Sequence, residues 1–184
     1  MRRLALAGLI VCCSLTYAFA CGTERWPVKI GKDDDVDKVS TDVTDSTIHE
    51  LISQASPAHP NKKPHSRWDG EFTVYRVKGT LTVIKHEADD DDYHLVILDP
   101  DHAKETMIVE SPLPSCATGS QFLEEIKKVR NAIDAHFGSI TNKKLKPNIP
   151  VTVTGVAFFD PKHGQEGVAK NGIELHPILD IEFQ

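Results

Sequence analysis

Several residue types that would make a function easy to read are scarce here. After residue 20 there is no apolar run of the roughly 20 residues that a helix needs to cross a bilayer, so the remainder of the chain contains no helical span. Tryptophan occurs twice and tyrosine three times, too few for the repeated aromatic platforms on which single-stranded bases stack. Positive charge is in deficit, with 21 Lys and Arg against 27 Asp and Glu. A protein that lives by phosphate contacts carries the opposite excess, so nucleic acid is disfavoured as a partner. Cysteine is limited to four positions, and neither Cys-x-x-Cys nor His-x-His occurs, which removes the strongest zinc signatures.

What is present begins with MRRLALAGLIVCCSLTYAFA. Arg2 and Arg3 precede an apolar run from Leu4, and the segment closes on Ala18-Phe19-Ala20. That is the layout of a secretory signal over residues 1–20, and it predicts a secreted or periplasmic protein. Its removal takes two positive charges and no negative one, moving the net charge from −6 to −8. Cys12 and Cys13 leave with it, and Cys21 and Cys116 remain. A single pair in an exported chain reads as a disulfide. The alternative is a lipid anchor on Cys21, but a lipoprotein signal places Leu where Ala18 stands, so unanchored export is preferred.

The length of 184 residues suits one domain with attachments. Residues 21–68 read as an extended arm: polar, with an apolar anchor at Trp26 and Val28, then a short helix whose Thr47 and Glu50 are spaced as a capping box. SPAHPNKKPHS, with its three prolines, reads as a linker. From residue 69 to 184 the pattern sharpens. EFTVYRVKGTLTVIK alternates like a half-buried strand, and Gly79 inside it suggests a bulge or bend. YHLVILD and ETMIVE follow as strands. Phe122, Ile126, Val129, Ile133 and Phe137 then form a helical stripe, with Thr118 and Gln121 as a capping box before it and Gly138 to stop it. PVTVTGVAFFD and GIELHPILDIEF complete the set.

The order β-β-β-α-β-β predicts a mainly β fold with one helix, an OB-like five-stranded antiparallel barrel, in preference to a generic α+β sandwich. The chain also resembles a family of exported bacterial proteins through the stretches CGTERWPVKIGKDDD, DDDYHLVILD and GVAFFD…HGQ…NGIELHPILDI. That resemblance implies export and a shared fold, and it implies no activity.

Candidate sites follow from the strand pattern. In the last strand Ile173, Leu175, Leu179, Ile181 and Phe183 are expected to face the barrel, with Glu174, His176, Ile178, Asp180 and Glu182 on a solvated outer face. Glu174 and His176, two residues apart, fall about 6.5–7 Å from each other. With His163 from the adjoining loop they make a candidate zinc site, although a wet strand face with a loop histidine is the simpler reading. Pro177 marks an edge or a bulge, and an edge would leave His176 reachable. Asp89, Asp90, Asp91 and Asp92 form an acidic loop that could draw Ca²⁺ but lacks the glycine and alternate spacing of a calcium loop. Asp92 and His94 share a face and could hydrogen-bond.

In an OB barrel the loop HEADDDD and the loop PKHGQEGVAKNG flank one binding face. The expectation is therefore an exported, disulfide-stapled binding module without catalytic activity and with no required cofactor. Its partner would be a small ligand, a cation-bearing glycan or a protein. The competing class is a metal-dependent hydrolase. MIVESP faintly resembles the strand-ending V-D-T-P of staphylococcal-type thermonucleases, which would make Glu110 a metal carboxylate. That resemblance covers few residues: no arginine lies shortly before Glu110, and after residue 20 only Arg25, Arg67, Arg76 and Arg130 remain.

Overall fold

The computed structural model describes residues 21–184, and the signal segment expected over residues 1–20 lies outside the described residues. From Cys21 the chain runs through α1 (Trp26–Lys29), β1 (Val43–Ser46) and α2 (Ile48–Ile52). Then come β2 (Val74–His86), β3 (Tyr93–Leu98), β4 (Thr106–Ser111), α3 (Leu123–Phe137), β5 (Ile149–Phe159) and β6 (Ile173–Phe183).

β2 is long enough to serve two neighbours. Val74–Leu81 pairs antiparallel with β5, and Thr80–His86 pairs antiparallel with β3. β3 pairs with β4, β4 runs parallel to β6, and β6 pairs antiparallel with β5. The five strands therefore close in the order β2-β3-β4-β6-β5, the OB-like barrel that the element order predicts. The bulge in β2 lies between Leu81 and Val83. Gly79 instead marks a close approach, where a Cβ would stand 3.2 Å from both Ile48 and Ile97.

Inside the barrel, Val77, Leu81, Leu95, Ile97, Val109, Val153 and Leu175 form one apolar cluster, which Val129 and Ile133 of α3 join. α3 begins one turn later than the Thr118 signal implies: Phe122 is its N-cap and no side chain caps it. Gly138, at φ 75°, ends it as expected.

The arm is more than a strap. Val28, Ile48 and Leu51 are fully buried, each contributing roughly 1.5–3 kcal/mol by leaving water. Thr47 and Glu50 do form the capping box of α2. Cys21 is bonded to Cys116, 95 positions away. Two buried ion pairs add further ties. Arg25 grips Glu71 with both terminal nitrogens, at 2.6 and 2.7 Å, and also donates to the carbonyls of Lys63, Ser66 and Phe159. Arg67 grips Asp33 at 2.7 and 3.2 Å and donates to the carbonyls of Val28 and Glu71. Arg25 takes a left-handed backbone conformation (φ 49°), which costs an L-residue about 1–2 kcal/mol. Its five side-chain hydrogen bonds hold it there.

β6 is not the end strand of the sheet: β5 flanks it along its length, and β4 joins it at Glu174 and Leu175. Pro177 sits instead where the β5–β6 register shifts around Gly155. The shift also resets the alternation of β6: Ile178 turns into the barrel core, and Leu179 packs with the second apolar cluster under the arm. A Cβ on Gly155 would lie 2.9 Å from the Pro177 carbonyl oxygen and 3.2 Å from the Ile178 Cα. Both are backbone atoms that cannot swing aside. Gly155→Ala is expected to cost about 1–3 kcal/mol through overpacking, read as a lower urea midpoint at unchanged m-value.

Candidate functional site

Strand order brings one parity of three neighbouring strands together on the outside of the barrel. His94 of β3 lies directly opposite Glu110 of β4. Glu174 of β6 aligns with Ile108, two residues before Glu110, and with Phe158 of β5 on its other side. Asp92 precedes β3, His176 follows Glu174 at the same parity, and Asp160 follows β5. The expectation of a solvated outer face fails here: Glu174 is 2% exposed and His176 0%. The reason is the arm. Trp26 packs edge-on to His176, and the Arg25 and Lys29 cations lie over the Phe158 ring. Period-two alternation separates two faces but does not say which of them a distant segment will cover.

Beneath this roof is a dense charge cluster. His176 Nδ1 donates to the Lys29 carbonyl, and its Nε2 lies 3.0 Å from Asp92 Oδ2 and 3.4 Å from Glu110 Oε2. His94 Nε2 donates to the Glu166 carbonyl, and its Nδ1 is 2.7 Å from Glu110 Oε1. The possible Asp92–His94 bond is thus replaced by a linked set, in which Asp92 pairs with His176 and Glu110 pairs with His94 while also facing His176. Burial alone would strip the proton from His176, but the hydrogen bonds with Asp92 and Glu110 outweigh it and push the imidazole up to about 9. His94 is raised in the same way, with the Glu110 hydrogen bond overcoming burial. Glu110 responds in the opposite direction: burial would raise it, yet the two histidines and Lys29 hold it well below the usual carboxylate range.

Other carboxyls shift upward. Burial, reinforced by Glu110 and Asp160, lifts Glu174 far above its ordinary value. Asp160 is raised by burial despite Lys29. Asp90 is pushed up to about 7 by burial and by Asp92 and Glu110. Lys29 is the cluster's built-in cation: burial opposes its charge, and Glu110, Asp160, Glu174 and Asp92 more than compensate. Its Nζ stands 3.5 Å from Asp160 Oδ1, an ion pair too long to give that oxygen a good hydrogen bond. Asp160 Oδ1, Glu174 Oε2 and Asp92 Oδ1 are buried oxygens without a hydrogen-bond donor among the described residues.

In front of the cluster opens a cavity of about 600 Å³. Its walls are the start of the arm (Gly22, Thr23, Glu24, Trp26), the 87–90 loop and the 160–165 loop. Lys29, His94, Glu110 and Glu174 form its floor. The two loops expected to flank one face do flank this groove.

The expected zinc triad does not form. His163 is on the rim, with a 62%-exposed side chain 3.7 Å from Asp160. It groups with Glu24 and Asp160, whereas His176 groups with Asp92 and Glu110. Glu174 lines the groove without joining either group. The four aspartates are not one solvated loop either. Asp89 is exposed, Asp91 is bonded to His86, Asp90 accepts from the Asp92 amide, and Asp92 is fully buried. Sequence reading missed Lys29 and Asp160 as site residues. Their signal was available in principle, because OB strand order makes D-Y-H, V-E and E-L-H adjacent at one parity and leaves that face needing a counter-cation.

No protein-family model matches the chain, and no curated protein does. Among solved structures, a crystal structure described as a "putative aspartyl-tRNA synthetase from Leishmania major Friedlin" superposes with a TM-score of 0.43 at 12% identity. The match covers 78% of this chain and 21% of that one, so this chain spans about a fifth of that protein. Likeness at this level carries no argument about function. Among the described residues no helix is long and apolar enough to cross a membrane. The Cys21 sulfur, being bonded to Cys116, has no free thiol for acylation.

Proposed function

We propose that this protein is an exported, disulfide-stapled binding module that captures a positively charged ligand in the groove between the 87–92 and 160–172 loops and performs no chemistry on it. The observation that carries this reading is the groove itself. Seven carboxyl residues line it (Glu24, Glu87, Asp89, Asp90, Glu110, Asp160 and Glu174), and two of them hold buried oxygens without a donor. Such oxygens are costly to leave unpaired, and a ligand ammonium group or a cation carried by a glycan would satisfy them. Electrostatic focusing in a concave acidic cleft favours the same class of ligand.

Spermidine is a suitable probe for calorimetric titration of the full chain at low and high salt. Saturable binding is expected, weakened about tenfold or more in a Glu24→Gln, Asp89→Asn double variant, whose two sites are on the surface. No saturable binding, or binding indifferent to both changes, would remove the reading. Export is checked separately by the N-terminal mass of the protein recovered outside the cytoplasm, which should begin at Cys21.

A second reading, hydrolysis in the same groove, is favoured by one observation: Glu174 and Glu110 are neighbouring carboxyls pushed in opposite directions. That separation is how acid and base roles are divided. Against the thermonuclease form of it, the described groove residues include no arginine, and Arg130 is stacked on Tyr93. Calcium-dependent phosphodiester cleavage abolished by Glu110→Gln would establish this reading over the first.

A further inference from the structure

Behind the groove, three potential ligand atoms, from β4, β6 and the residue just before β3, face one another in the protein interior. His176 Nε2 is 3.0 Å from Asp92 Oδ2 and 3.4 Å from Glu110 Oε2, and all three atoms lie within 4.8 Å of each other. Zinc bonds nitrogen and oxygen at about 2.0–2.2 Å, and in a tetrahedron such bonds set ligand atoms about 3.3–3.5 Å apart. The two spacings from His176 Nε2 are already close to that figure. The outer contacts also match what a metal ligand needs. His176 Nδ1 donates to the Lys29 carbonyl, which fixes the ring and aims Nε2 at the two carboxylates. Glu110 is steadied through its other oxygen by His94. A further observation points to a ligand: Asp92 Oδ1 is buried and has no donor among the described residues. Two carboxylates and a neutral imidazole would balance a dication.

We propose that Asp92, Glu110 and His176 hold one divalent transition-metal ion of the zinc type, distinct from the ligand of the groove, with Glu110 standing between the two sites. Glu110 belongs both to this trio and to the groove wall, so it marks the entry path. Lys29 is paired with Asp160 rather than with the three ligand atoms.

The full chain with its disulfide intact would be stripped with chelator, then titrated with Zn²⁺ and with Co²⁺. It would also be unfolded and refolded with each metal present, because a fully buried site can exchange slowly. One equivalent is expected, with a visible Co²⁺ spectrum of low-coordinate type. Asp92→Asn and Glu110→Gln preserve shape and should each weaken uptake by about 10- to 100-fold or more. Circular dichroism establishes that both fold. His163→Ala and His102→Ala, which disrupt the other two described ligand groupings, should leave uptake unchanged. No metal uptake in either preparation would overturn the proposal. So would stoichiometric uptake that survives both conservative variants, or that is lost with His163 or His102. Spermidine binding reads the groove independently, so failure here and failure there are distinguishable.

Discussion

Glu71→Ala is expected to cost about 3–5 kcal/mol, a large part of the 5–15 kcal/mol that usually holds a domain together. Glu71 is fully buried and accepts four hydrogen bonds: two from Arg25, one from the Trp68 amide and one from the Phe159 amide. Its removal leaves the Arg25 guanidinium buried without a counter-charge and two amides without acceptors. The damage should be felt mainly where the arm meets the barrel, because Arg25 lies just before α1 and Phe159 ends β5. Urea unfolding measures the loss. Hydrogen exchange should show the 25–40 segment losing protection first, while the β3–β4 hairpin keeps it. A loss below about 1 kcal/mol would mean the pair is solvated and the arm is anchored by its apolar residues alone.

The second large effect concerns the Cys21–Cys116 bridge. Closing a loop across 95 positions stabilises by roughly 4–5 kcal/mol in the chain-entropy model, with 2–4 kcal/mol more typical of measured cases. The paired variant Cys21→Ser, Cys116→Ser should therefore unfold at a markedly lower urea midpoint. It should also lose spermidine binding before it loses the barrel, because Gly22, Thr23 and Glu24, adjacent to the bridge, form one wall of the groove. A double variant with wild-type stability would show that the ion pairs alone determine the placement of the arm.

How much of this was legible in the sequence depends on the range of the interaction responsible. Local patterns were reliable where local physics decides the outcome. Alternation along β2 as far as Leu81, the Thr47–Glu50 box and Gly138 at the end of α3 appear as read, whereas the bulge after Leu81 puts Ile84 in the core in place of Val83. The disulfide and the barrel order were also legible, the first from cysteine arithmetic and the second from element sequence. The site was only half legible. Glu174 and His176 were correctly placed on one face, but their burial depends on a polar segment more than a hundred residues earlier, which covers them through Arg25, Trp26 and Lys29. Nothing within β6 carries that information. The His163 expectation failed for a related reason: adjacency in a loop is not convergence in space, and the partners of His176 come from β4 and from the end of the loop before β3. Thr118 misled because it lies inside a run of turns, its hydroxyl bonded back to the Ser115 carbonyl, rather than at the start of a helix.

The closed barrel also determines how these molecules meet each other. Each of the five barrel strands has partners on both sides, and the end strand of the sheet is β1, the short strand joined parallel to the first half of β2. β1 is four residues long, VTDS, with Asp45 paired to Arg76. A strip so brief and polar offers little template for a neighbouring copy to extend. An end strand of this kind gives the fold little means of growing into a continuous intermolecular sheet at high concentration.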